Sequence, residues 1–361
     1  MKVVITAGGT GGHIFPALAI LNKIKEKEKD SEFLYIGTTD RMEAKLVPER
    51  KIPYFGIPME GLNRKNIFKN FRVIKKYVAA VKLAKEEIKK FNPDIVIGVG
   101  GYISAPVLYA AAKLGYKTMI HEQNSIPGIS NKFLSRYVDK VLVSFEDSKE
   151  YFPKHKTVYT GNPRSEEIQN IRPISKSELG LSKDKKLVLI VMGSLGSMTM
   201  TEKLKKMITS FANQSYEVLL ITGENYFKEY QSLTIPKNVK ILPFYKDLIK
   251  VMKVTDIMVT RSGASTIAEI TSIALPSIMV PSPYVSNNHQ MKNALSLEKV
   301  GACSILTEDN FNEENLKKEI DNLLTDREKY DKMKKALLKL AKPNSATLIY
   351  EEAKKLVRDE T

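Results

Sequence analysis

The sequence predicts an α/β chain of two doubly wound parallel-sheet domains facing a cleft, and three observations carry that prediction. Short apolar β-like runs alternate with helix-period stretches along most of the chain, the pattern of parallel strands joined by crossover helices. An opening of strand, glycine loop and helix, with Gly8-Gly9-Thr10-Gly11-Gly12-His13 as its loop, returns half a chain later around Gly193-Ser194-Leu195-Gly196-Ser197. The length, 361 residues, suffices for about two domains that each bury a core.

In chain order, the expected strands of the first domain are 3–6, 33–36, 95–99, 118–121 and 141–144. The pattern pauses at Thr160-Gly161-Asn162-Pro163-Arg164, and a polar helical linker follows over 165–181. The second domain then reads as strands 186–192, 218–222, 239–242, 257–260 and 277–280. A last helix over 346–357, placed after Pro343, carries Ile349, Ala353, Leu356 and Val357 on one face and needs a surface to pack on. The expected division is 1–162 and 163–344.

Ligands of such sheets bind beyond the carboxyl ends of the strands, which directs attention to three loops of the first domain: 8–13, Gly100-Gly101-Tyr102, and His121-Glu122-Gln123-Asn124. The first can cradle phosphate, because glycines let the backbone approach a ligand and a helix N-terminus attracts anions. It lacks the last glycine of a dinucleotide fingerprint and the Lys-Ser/Thr pair of a P-loop. A plain tight turn with a solvated histidine explains it equally well.

In the second domain, Arg261-Ser262-Gly263-Ala264-Ser265-Thr266 follows a strand and opens a helix, which repeats the anion-binding arrangement. Glu269 could accept hydrogen bonds from the vicinal hydroxyls of a ribose, or it could close a capping box with Thr266. Asn287, Asn288, His289, Gln290 and Asn293 group amides and an imidazole suited to reading sugar hydroxyls.

Other signals bound the function. The formal charge is +16, with one cysteine and four dispersed histidines, so neither a disulfide framework nor metal-ligand spacing is present. No Asp-x-Asp pair occurs that could seat a metal on a nucleotide diphosphate. The expectation is therefore no metal and no cofactor, with diphosphate charge met by helix N-termini and a cation such as Arg164 or Arg261. No apolar stretch approaches the roughly 20 residues of a membrane span, and the N-terminus has no signal-peptide architecture, which suggests a cytosolic chain. Between Gly61 and Lys85 there is no acidic residue, while Arg64, Lys65, Lys69, Arg72, Lys75 and Lys76 interleave with Phe68, Phe71, Ile74 and Val78. That composition fits a helix lying on an anionic membrane surface, or a core helix with a basic outer face.

The segments GGTGGHIFPALAI, GGYISAPVLYAA, HEQNSIPGISNK, GNPR, GSLGS, RSGASTIAE and NNHQMKNA, in this order and spanning nearly the whole chain, resemble glycosyltransferase family 28, the bacterial UDP-N-acetylglucosamine transferases of peptidoglycan synthesis. The resemblance implies a GT-B fold of two Rossmann-like domains, with residues 345–361 packing back on the first. It implies inverting transfer of N-acetylglucosamine from its UDP donor to the C4 hydroxyl of undecaprenyl-diphospho-MurNAc-pentapeptide (lipid I), giving lipid II. Donor residues by resemblance are Thr10, Gly11, Gly12, Asn124, Arg164, Ser194 and Gln290, with Glu269 on the ribose, His289 and Asn293 near the sugar, and the Tyr245 backbone at the uracil. Ser262, Gly263, Ala264, Ser265 and Thr266 complete that site. The acceptor would meet Gly8, Gly9, Thr10, Gly11, Gly12 and Tyr102, with His13 the candidate base. Two departures are Leu195, where many relatives have glutamine, and Ser197, where alanine is common.

Because the acceptor is lipid-linked, the resemblance also favours the basic segment as a contact with the inner leaflet, and a peripheral location on the cytoplasmic side of the cell membrane. Other cell-wall synthesis proteins are expected partners, and nucleic acid is not. The competing readings are a GT-B enzyme with another lipid acceptor such as diacylglycerol, a sugar-nucleotide epimerase of the same architecture, and a non-enzymatic basic nucleic-acid-binding protein.

Overall fold

The computed structural model describes residues 1–61, 70–193 and 196–358. The chain forms two units, Met1–Glu166 with Asn344–Thr361, and Glu167–Pro343. The expected boundary after residue 162 compares with this division between Glu166 and Glu167, which leaves Arg164 with the first unit.

The first unit runs β1 (Lys2–Thr6), α1 (Gly11–Lys27), β2 (Glu32–Thr38), α2 (Met42–Leu46), β3 (Tyr54–Ile57), α3 (Asn70–Phe91), β4 (Ile95–Gly98), α4 (Ser104–Lys113), β5 (Lys117–Glu122), α5 (Ile129–Leu134), β6 (Lys140–Val143) and β7 (Thr157–Tyr159). All strands are parallel, in the order β3-β2-β1-β4-β5-β6-β7. Both faces are covered, so the central strands are buried on both sides and read as mainly apolar runs rather than alternating ones, with buried polar residues such as His121 and Glu122 toward the end of β5. Val3 and Ile5 face a core completed by Ala17, Leu21 and Ile24 of α1, while Val4 faces Ala80, Ala84 and Ile88 of α3 together with Val107 and Leu108 of α4.

The second unit follows α6 (Arg164–Gln169) and contains β8 (Lys186–Val191), α7 (Met198–Met207), β9 (Tyr216–Ile221), β10 (Val239–Leu242), α8 (Leu248–Met252), β11 (Ile257–Thr260), α9 (Ala264–Ile273), β12 (Ser277–Met279), α10 (His289–Glu298), β13 (Ser304–Ile305), α11 (Glu313–Thr325) and α12 (Arg327–Leu340). Its parallel order is β10-β9-β8-β11-β12-β13. Strands β3, β7 and β13 were absent from the sequence reading. All three are sheet edges of four residues or fewer, too short and too exposed for a periodic apolar signal. The linker expected to be helical over 165–181 is only α6 and one 3₁₀ turn at Lys176–Leu179.

The last helix, α13 (Ser345–Arg358), belongs to the first unit and packs on α1. Ile349, Ala353 and Leu356 enter the core that β1 and α1 share. Three carboxylates fasten its polar side. Glu166 accepts hydrogen bonds from Thr347 N at 2.7 Å and Thr347 Oγ1 at 2.6 Å, Glu28 accepts one from Tyr350 Oη at 2.9 Å, and Glu352 pairs with Lys140 at 3.1 Å. Burial raises each carboxyl's pKa, but the hydrogen bonds and cations outweigh it and leave all three below the ordinary value of 4.5. A depressed folded-state pKa means stability that is present above the unfolded value and lost as pH falls through the folded one. Acidification below about pH 4.5 is therefore expected to loosen α13 before the sheet. Hydrogen exchange will read this as loss of protection in residues 345–358 ahead of β1, whereas simultaneous loss would remove the electrostatic account.

In α3, Val73, Ala80, Ala84 and Ile88 face inward, whereas Ile74 and Val78, natural core positions by sequence, are 57% and 64% exposed. Of the basic segment, Arg64, Lys65, Phe68 and Lys69 lie outside the described residues, as does Ser194. Phe71 and Arg72 fall in the first turn of α3. Lys75 is exposed, and Lys76 forms an ion pair with Glu60. Among the described residues no helix is long and apolar enough to cross a membrane.

Candidate active site

Each sheet reverses its strand order once, between β1 and β4 in the first unit and between β8 and β11 in the second. Ligands of open parallel sheets bind at such reversals, and the glycine-containing loops sit there.

In the first unit, Thr10 caps α1 in extended conformation without a side-chain cap bond, and Thr10 and Gly12 are exposed. The loop rests on Glu43, which is fully buried. One Glu43 oxygen accepts from Gly9 N at 3.1 Å, and the other accepts from Thr38 N at 3.2 Å and Thr38 Oγ1 at 2.7 Å. The carboxylate thus ties the glycine loop to the end of β2. From the β4 side, Gly8 N donates to Gly100 O at 3.3 Å. Gly101 has φ +84°, and a Cβ there would strike the Gly8 carbonyl oxygen. Tyr102, next in this loop, is partly buried, and burial raises its phenol pKa despite the neighbouring Arg41 guanidinium.

A matched pair of variants tests this approach of the two loops. Gly115 has φ +82° with open space around its missing Cβ, so alanine there and alanine at Gly101 share the backbone cost of about 1–2 kcal/mol. Only Gly101→Ala must also move Gly8. Measured well below the Tm of either variant, its kcat/KM is expected to fall at least tenfold below that of Gly115→Ala, and equal activities would show that the Gly8 position is unimportant.

His13 stands in the first turn of α1, half-buried, with Nδ1 at 2.9 Å from Gln123 Oε1. Gln123 is 1% exposed and comes from the loop after β5. Its neighbour Glu122 is also buried, and both oxygens are occupied: one accepts from Asn124 N at 2.9 Å and Nδ2 at 3.2 Å, the other from Gly128 N at 3.0 Å and Asn131 Nδ2 at 2.9 Å. Glu122 folds the loop that carries Asn124 and leaves no oxygen for acid or base work. Arg164 lies over the Phe15 ring of α1, 5.8 Å from its centroid.

In the second unit, α9 begins at Ala264 with Gly263 as its N-cap and no side-chain cap. Thr266 is therefore inside the helix, and the capping box with Glu269 does not form. The first N–H groups of α9, at Ala264, Ser265 and Thr266, have no intrahelical acceptor, and Ser265 Oγ is enclosed without a hydrogen-bond partner. Helix α10 is tied to this loop: Ser262 Oγ donates to Gln290 O at 2.8 Å, and the fully buried Asn293 donates from Nδ2 to Ser262 O at 3.2 Å. Gln290 Oε1 accepts from Ser282 N at 2.8 Å. Asn287 and Asn288 hold left-handed conformations, φ 56° and 51°, which turn the chain into α10 just before His289. Tyr245 lies in the loop after β10, beside the exposed Phe244.

Arg261 departs from expectation. Its guanidinium is buried, 2.5 Å from Glu308, and donates to Val280 O at 3.0 Å and Ser197 Oγ at 3.1 Å. It clamps the ends of β11, β12 and the β8 loop together and is not a cation awaiting diphosphate. Among the described residues no group of three His, Cys, Asp or Glu is placed to hold a metal ion.

Of the expected site residues, Gly8 to His13, Tyr102, Asn124 and Arg164 lie on the first unit. Tyr245, Ser262 to Thr266, Glu269, His289, Gln290 and Asn293 lie on the second. Sequence reasoning missed Glu43 and Gln123. Glu43 carries no local signal, being an acid on a short helix, whereas Gln123 was marked only by its place at a strand end.

The N-terminal domain of glycosyltransferase family 28 matches residues 3–143, and its C-terminal domain matches residues 187–349. A protein of Bacillus cytotoxicus named UDP-N-acetylglucosamine--N-acetylmuramyl-(pentapeptide) pyrophosphoryl-undecaprenol N-acetylglucosamine transferase is 44% identical over 99% of this chain and 100% of its own. A protein of the same name from Bacillus licheniformis is 42% identical over 99% of each. Among solved structures, Acinetobacter baumannii MurG superposes with a TM-score of 0.81 at 27% identity, covering 98% of this chain and 99% of that one. With both domain matches in sequence order and relatives of this identity along the full length, the chain belongs to glycosyltransferase family 28.

Proposed function

We propose that this protein is an inverting transferase that moves N-acetylglucosamine from UDP-N-acetylglucosamine to the C4 hydroxyl of lipid I, forming lipid II. The end-to-end likeness to transferases named for that reaction carries the reading, and the residues at the two strand-order reversals supply a chemistry for it. The acceptor hydroxyl attacks the anomeric carbon from the face opposite UDP, His13 takes the hydroxyl proton, and the bond to the UDP oxygen breaks. The N–H groups of Ala264, Ser265 and Thr266 meet the diphosphate charge, a helix terminus contributing about 0.3–2 kcal/mol, and Arg164 adds a cation. Glu269 binds the ribose, the Tyr245 backbone the uracil, and His289, Gln290, Asn293 and Asn124 the sugar. Gly8 to Gly12 and Tyr102 take the acceptor diphosphate. No metal or cofactor enters this scheme.

The test is UDP release from UDP-N-acetylglucosamine in the presence of a lipid I analogue, without it, and with diacylglycerol in its place. Release that needs the lipid I analogue is expected; release with diacylglycerol alone would move the protein to another acceptor.

The acceptor's lipid places the enzyme at the anionic inner leaflet, as a peripheral protein on the cytoplasmic side. Exposed Ile74 and Val78, one helical turn apart beside exposed Lys75, suit insertion of an apolar strip beneath a basic rim. The triple variant Ile74→Ser, Val78→Ser, Lys75→Glu should lose co-sedimentation with anionic vesicles and keep turnover on a short-chain soluble acceptor. Equal loss in both assays would exclude the membrane reading.

A further inference from the structure

We infer that Gln123 is a positioning residue that fixes the proton of the His13 ring on Nδ1, leaving Nε2 as the basic nitrogen. The inference rests on reading His13 as the base and adds which atom acts and what sets it. The argument begins at a carbonyl. Gln123 Nε2 lies 2.9 Å from Val99 O and 3.1 Å from His121 O. Carbonyl oxygens only accept, so the amide nitrogen must be on that side and the amide oxygen on the other. The oxygen is the atom 2.9 Å from His13 Nδ1, and an amide oxygen accepts only from a protonated nitrogen. Neutral His13 therefore carries its hydrogen on Nδ1, and its lone pair is on Nε2.

The next member of the chain supports the same assignment. His121 is fully buried, its Nδ1 is 3.0 Å from Gln123 Nε2 and its Nε2 is 2.9 Å from Gly161 O. Nε2 donates to the carbonyl and Nδ1 accepts from the amide, which is the neutral ring. Burial pushes the His121 pKa down to about 4, so the ring brings no positive charge to the network at neutral pH. Gln123 Nε2 faces three acceptors with its two hydrogens, Val99 O taking one and His121 O and Nδ1 sharing the other, and reversing the amide would face oxygen against two carbonyls. Such an orienting partner matters because a base with its proton on the wrong nitrogen cannot accept another there.

The protein holds four histidines, few enough for ¹⁵N-histidine labelling of the whole chain, with the His13 signals assigned by their loss in His13→Gln. At alkaline pH, where the ring is neutral, wild-type His13 should show a protonated Nδ1 and an unprotonated Nε2. Gln123→Leu removes the acceptor, and His13 should then move toward the Nε2–H form while kcat falls roughly ten- to hundredfold, less than loss of the base itself, with donor KM unchanged. Gln123→Glu, a carboxylate at that pH, keeps an oxygen to accept from His13 Nδ1 and should restore the Nδ1–H signature and part of kcat, the remaining loss reflecting the missing donor to Val99 O. A wild-type His13 protonated on Nε2 overturns the inference, and needs no variant to fold. So does Gln123→Leu with unchanged tautomer and kcat. Full activity in His13→Gln would instead overturn the base assignment, whatever the spectra show of the ring.

Discussion

His13→Ala is expected to lower kcat by about 10²- to 10⁴-fold, the usual contribution of a general base, while KM for UDP-N-acetylglucosamine stays within a few-fold of wild type. The split follows from where the residue stands. His13 is in the first turn of α1 on the first unit, held through Nδ1 by Gln123, whereas Gln290 and Asn293, the amides proposed for the sugar, and the opening of α9 belong to the second unit. An interaction made only in the transition state lowers kcat and kcat/KM together and leaves ground-state binding alone. Steady-state kinetics with a soluble acceptor at saturating and limiting donor will show which parameter moves. A loss of only a few-fold, or a rise in acceptor KM with normal kcat, would make His13 a binding residue of the acceptor loop.

The second large effect is on stability. Glu308→Ala removes the partner of a buried guanidinium and is expected to destabilise the second unit by about 3–5 kcal/mol, the range for leaving one member of a buried ion pair uncompensated. Arg261 and Glu308 are 8% and 7% exposed, so water cannot take the place of the lost carboxylate. The paired variant Arg261→Met, Glu308→Leu should recover most of that loss, since apolar replacement of both charges is often close to neutral. It should still lose activity, because Arg261 also holds Ser197 at the end of the glycine loop before α7. Cys303 offers a probe confined to this unit. It is the chain's one cysteine, 5% exposed, and burial pushes its thiol up to about 12, so it should resist labelling until the unit opens. Thiol labelling across a denaturant series will report the shift, and a change below about 1 kcal/mol in Glu308→Ala would mean that the pair is dispensable.

The two predictions differ in how visible their residues are in the sequence. His13 is marked by local chemistry, an imidazole at the exit of a glycine loop between strand and helix. The same kind of signal marked the loop at Gly193 and the opening of α9, because strand period, glycine turns and helix starts are encoded within about a dozen residues. The repetition of that unit was enough to predict two parallel-sheet domains, and the apolar face of 346–357 was enough to predict a helix in need of a partner. The nine central strands and the edge strand β10 were legible for one further reason: each carries an apolar run, since with helices on both faces of the sheet most of the side chains in the central strands are buried.

What the sequence alone could not decide are pairings between residues far apart in the chain. Glu43 beneath the glycine loop, Gln123 on His13 across 110 positions, and Glu308 on Arg261 are buried polar contacts. Each polar group must find a partner once packing removes water, and which partner depends on strand order that local patterns do not specify. Edge strands β3, β7 and β13 were missed for the related reason that one side of each is half open and carries no periodic signal. The capping-box alternative at Glu269 was removed by a shift of three residues in where α9 begins, with Gly263 rather than Thr266 as its cap. The exposure of Ile74 and Val78 likewise came from how α3 is rotated against α4. Local sequence set the elements and most of the chemical groups; tertiary packing decided which of those groups are held, which are consumed by structure, and which face outward.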